Sequence, residues 1–122
     1  MINDNLLTNL AKGLNSESFL VPSFLARGTD VITVSATATE LDGEIGDRDT
    51  LSGSREDNIV TFNGLISGAN VQDTANGDNL KGLALLTAVT DGELHIELSL
   101  PGLLQTTAFD IDTDWVLTVD RR

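Results

Sequence analysis

The chain of 122 residues contains no cysteine and no tyrosine, one tryptophan, one histidine and two prolines. Without cysteine there are no disulfides and no thiolate metal ligands, and the redox compartment leaves no trace. Four phenylalanines and Trp115 are the only aromatics, so a core has to be built from Leu, Val, Ile and Ala. The first residues carry neither a basic stretch nor the apolar stretch of a signal peptide, and no apolar run approaches a membrane span. The expectation is a protein neither exported by a signal peptide nor held in a membrane. The G-x-S-x-G elbow, the P-loop and G-x-G-x-x-G are also missing, which removes the common nucleophile and phosphate-binding signatures.

Charge dominates what is present. Nineteen acids against seven bases give a net charge of −12. Such a surface repels phosphate backbones and argues against nucleic acid as a partner. Asp outnumbers Glu, and lysine is confined to Lys12 and Lys81, the composition of proteins that stay dissolved in concentrated salt; a halophilic protein is expected. Hydrophobic residues make up 40% of the chain, enough for one packed core. The reading is a single domain over residues 1–122, with a helical segment at 1–15 and a β-sandwich at 19–120.

Periodicity supplies the elements. Asn3, Asp4 and Asn5 offer N-cap side chains before Leu6, Leu7, Leu10 and Leu14, an apolar stripe on a short helix for which Gly13 is a candidate C-cap. That stripe needs a surface to dock on, either its own domain or another subunit. Residues 19–26 form an apolar run broken by Pro22, read as an edge strand or a strand entry. Residues 31–38 are β-branched and read as a strand or extended segment, and part of 48–54 as another edge strand. Residues 59–66 are a strand with Val60, Phe62 and Ile66 on one face. A loop over 70–79 ends in the turn Asn76-Gly77-Asp78, and 80–89 is an apolar strand covered on both sides. Asp91-Gly92 closes a hairpin onto 93–100, which places Leu94, Ile96, Leu98 and Leu100 inward and Glu93, His95, Glu97 and Ser99 outward, until Pro101-Gly102 breaks it. The last strand, 106–119, turns Phe109, Ile111, Thr113, Trp115, Leu117 and Val119 to one side and Asp110, Asp112 and Asp114 to the other. Together these predict a mainly all-β fold, an antiparallel β-sandwich of six or seven strands with one short N-terminal α-helix. Its core anchors are Phe62, Phe109, Ile111, Trp115 and Leu117.

Chemistry is sparse. The Asp110-Asp112-Asp114 run is the best metal candidate, but counted as a calcium loop it has Trp115 where glycine is needed and Arg121 where the bidentate Glu belongs. On a straight strand its carboxylates stand about 7 Å apart and parallel, which converges poorly. Glu93 and Glu97 would lie roughly 13 Å apart on one face, beyond the separation of paired glycosidase carboxylates. His95 on a polar hairpin face reads as a surface residue that titrates freely. No catalytic residue, cofactor site or metal site is assigned, and no enzyme is expected.

Several pieces taken in order carry a resemblance: Ala26-Arg27-Gly28-Thr29, Thr39-Glu40-Leu41 with Glu44 and Arg48, Asn58-Ile59-Val60-Thr61-Phe62, Gly82-Leu83, Thr90-Asp91-Gly92-Glu93-Leu94, Gln105-Thr106-Thr107 and Asp114-Trp115-Val116-Leu117-Thr118-Val119. In this series the chain resembles small virion proteins of tailed bacteriophages and archaeal tailed viruses, in particular the β-sandwich module of tail-fibre, collar and baseplate proteins. Lys81 and Gln105 stand where that pattern usually has Glu and Lys. The resemblance implies a non-enzymatic structural component of the virion, assembled in the host cytoplasm. It would act as a homo-oligomer in the tail, baseplate or neck, in contact with copies of itself and neighbouring virion proteins. It also implies a structural pair of Glu44 with Arg48. A capsid decoration or turret protein, or a module that binds host-surface carbohydrate, are the alternatives. The stripe Leu6, Leu7, Leu10 and Leu14 is the candidate oligomer contact.

Overall fold

The computed structural model describes residues 2–33, 35, 38–68, 79–106, 108 and 110–119. The elements are α1 (Asp4–Leu14), β1 (Phe24–Gly28), β2 (Glu44–Glu56), β3 (Ile59–Ile66), β4 (Asn79–Leu86), β5 (Leu94–Leu104) and β6 (Ile111–Thr118). All strand pairs are antiparallel, in the order β5-β4-β1-β2-β3-β6. The mainly antiparallel β fold with one short N-terminal helix is as expected. The separation into two stacked sheets is not seen: there is one curled six-stranded sheet, continuous through β2.

β2 makes the curl. Its first half pairs with β1 from Glu44 to Thr50, and its second half pairs with β3 from Leu51 to Glu56. Between Leu25 and Arg27 the β1–β2 register slips, and β2 takes up the extra residues at Gly46, whose φ is +65°. A side chain there would be strained by that φ, and its Cβ would lie 2.5 Å from the Arg27 guanidinium, which would have to shift. The segment 48–54, expected at an edge, therefore lies in the middle of the sheet.

Two clusters fill the two faces. Inside the curl are Leu25, Ile66, Leu80, Leu83 and Leu85, with Phe62, Ile96, Ile111 and Trp115 packed against them. On the opposite face are Ala26, Leu41, Ala84, Leu86 and Leu94, covered by Ile32 and Ala38. Ile32 and Ala38 thus act as a cover, and none of the described residues of 31–38 is in a strand. The alternation of β1 and β4 between the clusters explains their nearly unbroken apolar composition. β5 changes faces. Its register with β4 skips His95, so Leu94 lies opposite Leu86 on one face and Ile96 opposite Leu85 on the other.

Further boundaries differ from the sequence reading, among them the start of β6, at Ile111 instead of 106. β1 starts only at Phe24, after Pro22, and lies between β4 and β2 instead of at an edge. Proline has no N–H to give a ladder, so pairing begins beyond it. β5 continues through Pro101-Gly102 to Leu104, because on an edge strand the pair is absorbed as a register shift. The helix runs past Gly13 and is capped at Asn15; Ser16, at φ +59°, donates to Gly13 O while Glu17 donates to Lys12 O. Gly13 instead leaves room for the Phe19 ring. Asn3 is the N-cap, accepting from Asn5 N at 3.0 Å. β4 ends at Leu86, and Asp91 and Gly92 have the positive φ values, 53° and 75°, that a type I′ turn needs. The expected turn at 76–78 lies outside the described residues. Among the described residues, no helix is long and apolar enough to cross a membrane.

Candidate functional site

The acids of β6 are held by structural bonds. Asn63 Nδ2 on β3 donates to Asp112 Oδ1 at 2.8 Å and to Asp114 Oδ1 at 2.9 Å, so an amide sits where a cation would bridge the two. Asp110 Oδ1 accepts from Gly68 N at 2.7 Å. Among the described residues, no group of three or more His, Cys, Asp or Glu side chains could hold a metal ion.

His95 is the clearest correction. It is 0% exposed, where a freely titrating surface residue was expected. The register skip turns it out of the alternating pattern, and α1 covers it. Its Nε2 lies 3.2 Å from Glu93 Oε1 and 3.4 Å from Asn9 Nδ2. Burial lowers the imidazole pKa below its ordinary 6.5, opposed by the bond to Glu93. That same bond lowers the Glu93 pKa. Asn9, also buried, donates to Glu93 Oε1 at 2.7 Å and to Asn5 O at 2.8 Å, and accepts from Leu20 N at 2.6 Å. One side chain thereby ties α1, β5 and the segment after the helix. Glu97, expected on the polar outer face, is buried as well, and burial raises its pKa. Helical spacing alone places Asn9 beside Leu6, so a buried polar contact was legible there, but its partners were not.

A second polar group lies along β2. Arg48 is buried and donates through Nε and Nη2 to both carboxylate oxygens of Glu44, at 2.9 and 3.1 Å. It also donates to the carbonyls of Ala88, Asp91 and Thr39 at 2.7, 2.7 and 3.1 Å. The Glu44–Arg48 pair is formed, as a staple between the cover segment and the β4–β5 connection. Arg27, 2% exposed, has its Nη1 3.7 Å from Asp49 Oδ2, and burial is the main cause of a raised Asp49 pKa. Arg27, Asp47, Arg48 and Asp49 line a pocket of about 310 Å³ in which opposite charges balance.

The apolar stripe of α1 divides. Leu6 is buried in its own domain, while Leu7, Leu10 and Leu14 are exposed, Leu14 by 91%. Phe19, Leu20 and Val21 are tied to α1 by the Leu20–Asn9 bond and the Phe19–Gly13 contact, and are about half exposed. Of the anchor residues, Phe62, Ile111 and Trp115 pack on the inner cluster while remaining partly exposed, and Leu117 is half-buried. Trp115 Nε1 donates to Thr113 Oγ1 at 3.1 Å. Phe109 lies outside the described residues.

Comparisons with protein-family models, with curated proteins and with solved structures return no match.

Proposed function

We propose that the chain is a non-enzymatic structural component of a tailed-virus virion that works by self-association, in the tail, baseplate or neck. The observation that carries the self-association is the exposed apolar surface of Leu7, Leu10 and Leu14 on α1 together with exposed Phe19, Leu20 and Val21 on the segment tied to that helix. Six large apolar side chains on neighbouring elements mark an interaction surface far better than scattered exposed residues do. The ordered series of residue motifs supports the virion setting, and the same surface serves equally on a capsid as a decoration or turret. A carbohydrate-binding role has less support, since the single Trp is half-buried and its indole N–H is already bonded.

Sedimentation velocity over a wide concentration range, in dilute and in multimolar NaCl, tests the association. Oligomers should form and should strengthen with salt, because salt screens the repulsion between copies of charge −12. Leu10→Lys and Leu14→Lys should shift the protein to monomer without moving its thermal midpoint, since neither side chain is buried in the domain. A monomer under every condition, or absence from purified virus particles by mass spectrometry, would sink the proposal.

A further inference from the structure

The two ends of the curled sheet, β5 and β6, come back toward each other without pairing. Between them runs a slot made of two adjoining hollows of about 370 and 140 Å³. Its apolar walls are Ile96 and Leu98 on β5, Leu83 on β4, Trp115 and Val116 on β6, and Ile2. One end is already occupied by backbone: Ile2 bridges Ile96 in the antiparallel sense, and Asn3 N donates to His95 O at 2.8 Å. Past that bridge, no strand among the described residues pairs with the outer edge of β5 or of β6.

Val119 N donates to Asn58 O on the β3 side. In an antiparallel ladder, alternate residues direct both backbone groups to the same neighbour, so Ile111, Thr113, Trp115 and Leu117 face β3. The amides and carbonyls of Asp112, Asp114, Val116 and Thr118 therefore face the slot. Open backbone groups beside an apolar trough are the two requirements for adding a strand.

Charge decides what kind of strand. The ionisable side chains lining the slot are Glu97 and Asp114, Asp112 stands exposed beside them, and no Lys or Arg lines it among the described residues. The whole chain carries −12, so a second copy brings like charge to an acidic rim. We propose that the slot accepts an extended segment of a different protein, alternating apolar and basic residues, as the strand that joins β6 to β5. Its apolar side chains would point toward Leu83, Ile96 and Trp115, and its basic ones outward beside Asp112 and Asp114. This inference uses a different surface from α1 and stands apart from the virion reading.

Trp115 is the sole Trp in a chain without Tyr and lines the slot, so its emission reports occupancy. The probe is a blocked peptide of about ten residues alternating valine and lysine, a length that spans one strand. The expected result is a saturable change in Trp115 emission that weakens with salt. Amide exchange should slow at Asp112, Asp114, Val116 and Thr118, with little change at the odd-numbered residues. Val116→Pro removes an outward N–H without touching the ladder to β3 and should weaken binding at least about tenfold, equivalent to about 1.4 kcal/mol. Leu98→Lys, on the opposite wall and 46% exposed, removes apolar surface and repels a basic strand, so it should do the same and serves if the proline variant misfolds. No response to the peptide, equal binding of an alternating valine–glutamate peptide, or unchanged affinity in both variants would overturn the proposal. Protection of the same amides by self-association, without peptide, would also overturn it and make a second copy the occupant.

Discussion

Arg48 allows the packing argument to be tested in numbers. Arg48→Met keeps most of the buried stem and removes the guanidinium, leaving the Glu44 carboxylate and the carbonyls of Thr39, Ala88 and Asp91 without that donor. Breaking a buried ion pair by removing one partner costs about 3–5 kcal/mol, and an orphaned buried acceptor about 1–3 kcal/mol. The Glu44 side chain is 18% exposed, so water recovers part of its solvation, and about 4 kcal/mol is the expected loss. At about 3–4 °C per kcal/mol for a domain of this size, the thermal midpoint should fall by roughly 12–16 °C. Arg48→Lys retains the charge but has no planar fork to reach Glu44 and three carbonyls together, and should lose about half as much. Urea unfolding followed by Trp115 emission measures both. Because the pair is shielded from solvent, the difference between wild type and Arg48→Met should be the same in dilute and concentrated NaCl, whereas surface repulsion would be screened. A loss below about 1 kcal/mol, or one that disappears in salt, would refute the staple.

Two other outcomes follow from the same interior. The folded pKa of His95 lies below 6.5, so the unfolded chain binds the proton first as pH falls; stability should decline below about pH 6.5 and level off once the folded imidazole also titrates. The slope can reach about 1.4 kcal/mol per pH unit, and His95→Gln should flatten that part of the pH–stability curve. Equal slopes in both proteins would contradict the assignment. Among the glycines, a Cβ at Gly28 would lie 2.5 Å from the Asp42 backbone carbonyl, whereas one at Gly53 would meet only the Phe62 ring at 3.6 Å. Gly28→Ala should therefore cost about 2 kcal/mol or more and Gly53→Ala about nothing, by the same denaturation assay.

The strands at 59–66, 79–86 and 111–118 were legible, the last two drawn too long as 80–89 and 106–119, because their patterns are local. Period-two alternation or an unbroken apolar run says which faces are covered, whatever the partner strand is. Strand order was not legible, since the 13-residue β2 serves two partners in succession and looks like polar loop with few apolar residues. The burial of His95 was hidden by a single register skip, which reverses side-chain direction without changing composition. The Glu44–Arg48 pair was anticipated from the resemblance, but its three backbone acceptors lie 9, 40 and 43 residues away. The α1 stripe was read correctly as apolar; only the third dimension separates buried Leu6 from exposed Leu7, Leu10 and Leu14.

The aspartates of β6 gain a physical role from the edge on which they stand. A strand that offers open backbone groups is a template for unwanted pairing, and charge on it is one way to discourage that. Asn63 fixes Asp112 and Asp114 on the outward face, so the charge stays at the rim instead of collapsing onto the apolar trough. Trp115 points the other way, into the curl and the slot. The alternation that suggested a metal ladder thus places attraction on one face and like-charge rejection on the other, and an edge built that way discriminates between strands by charge before any side chain is packed.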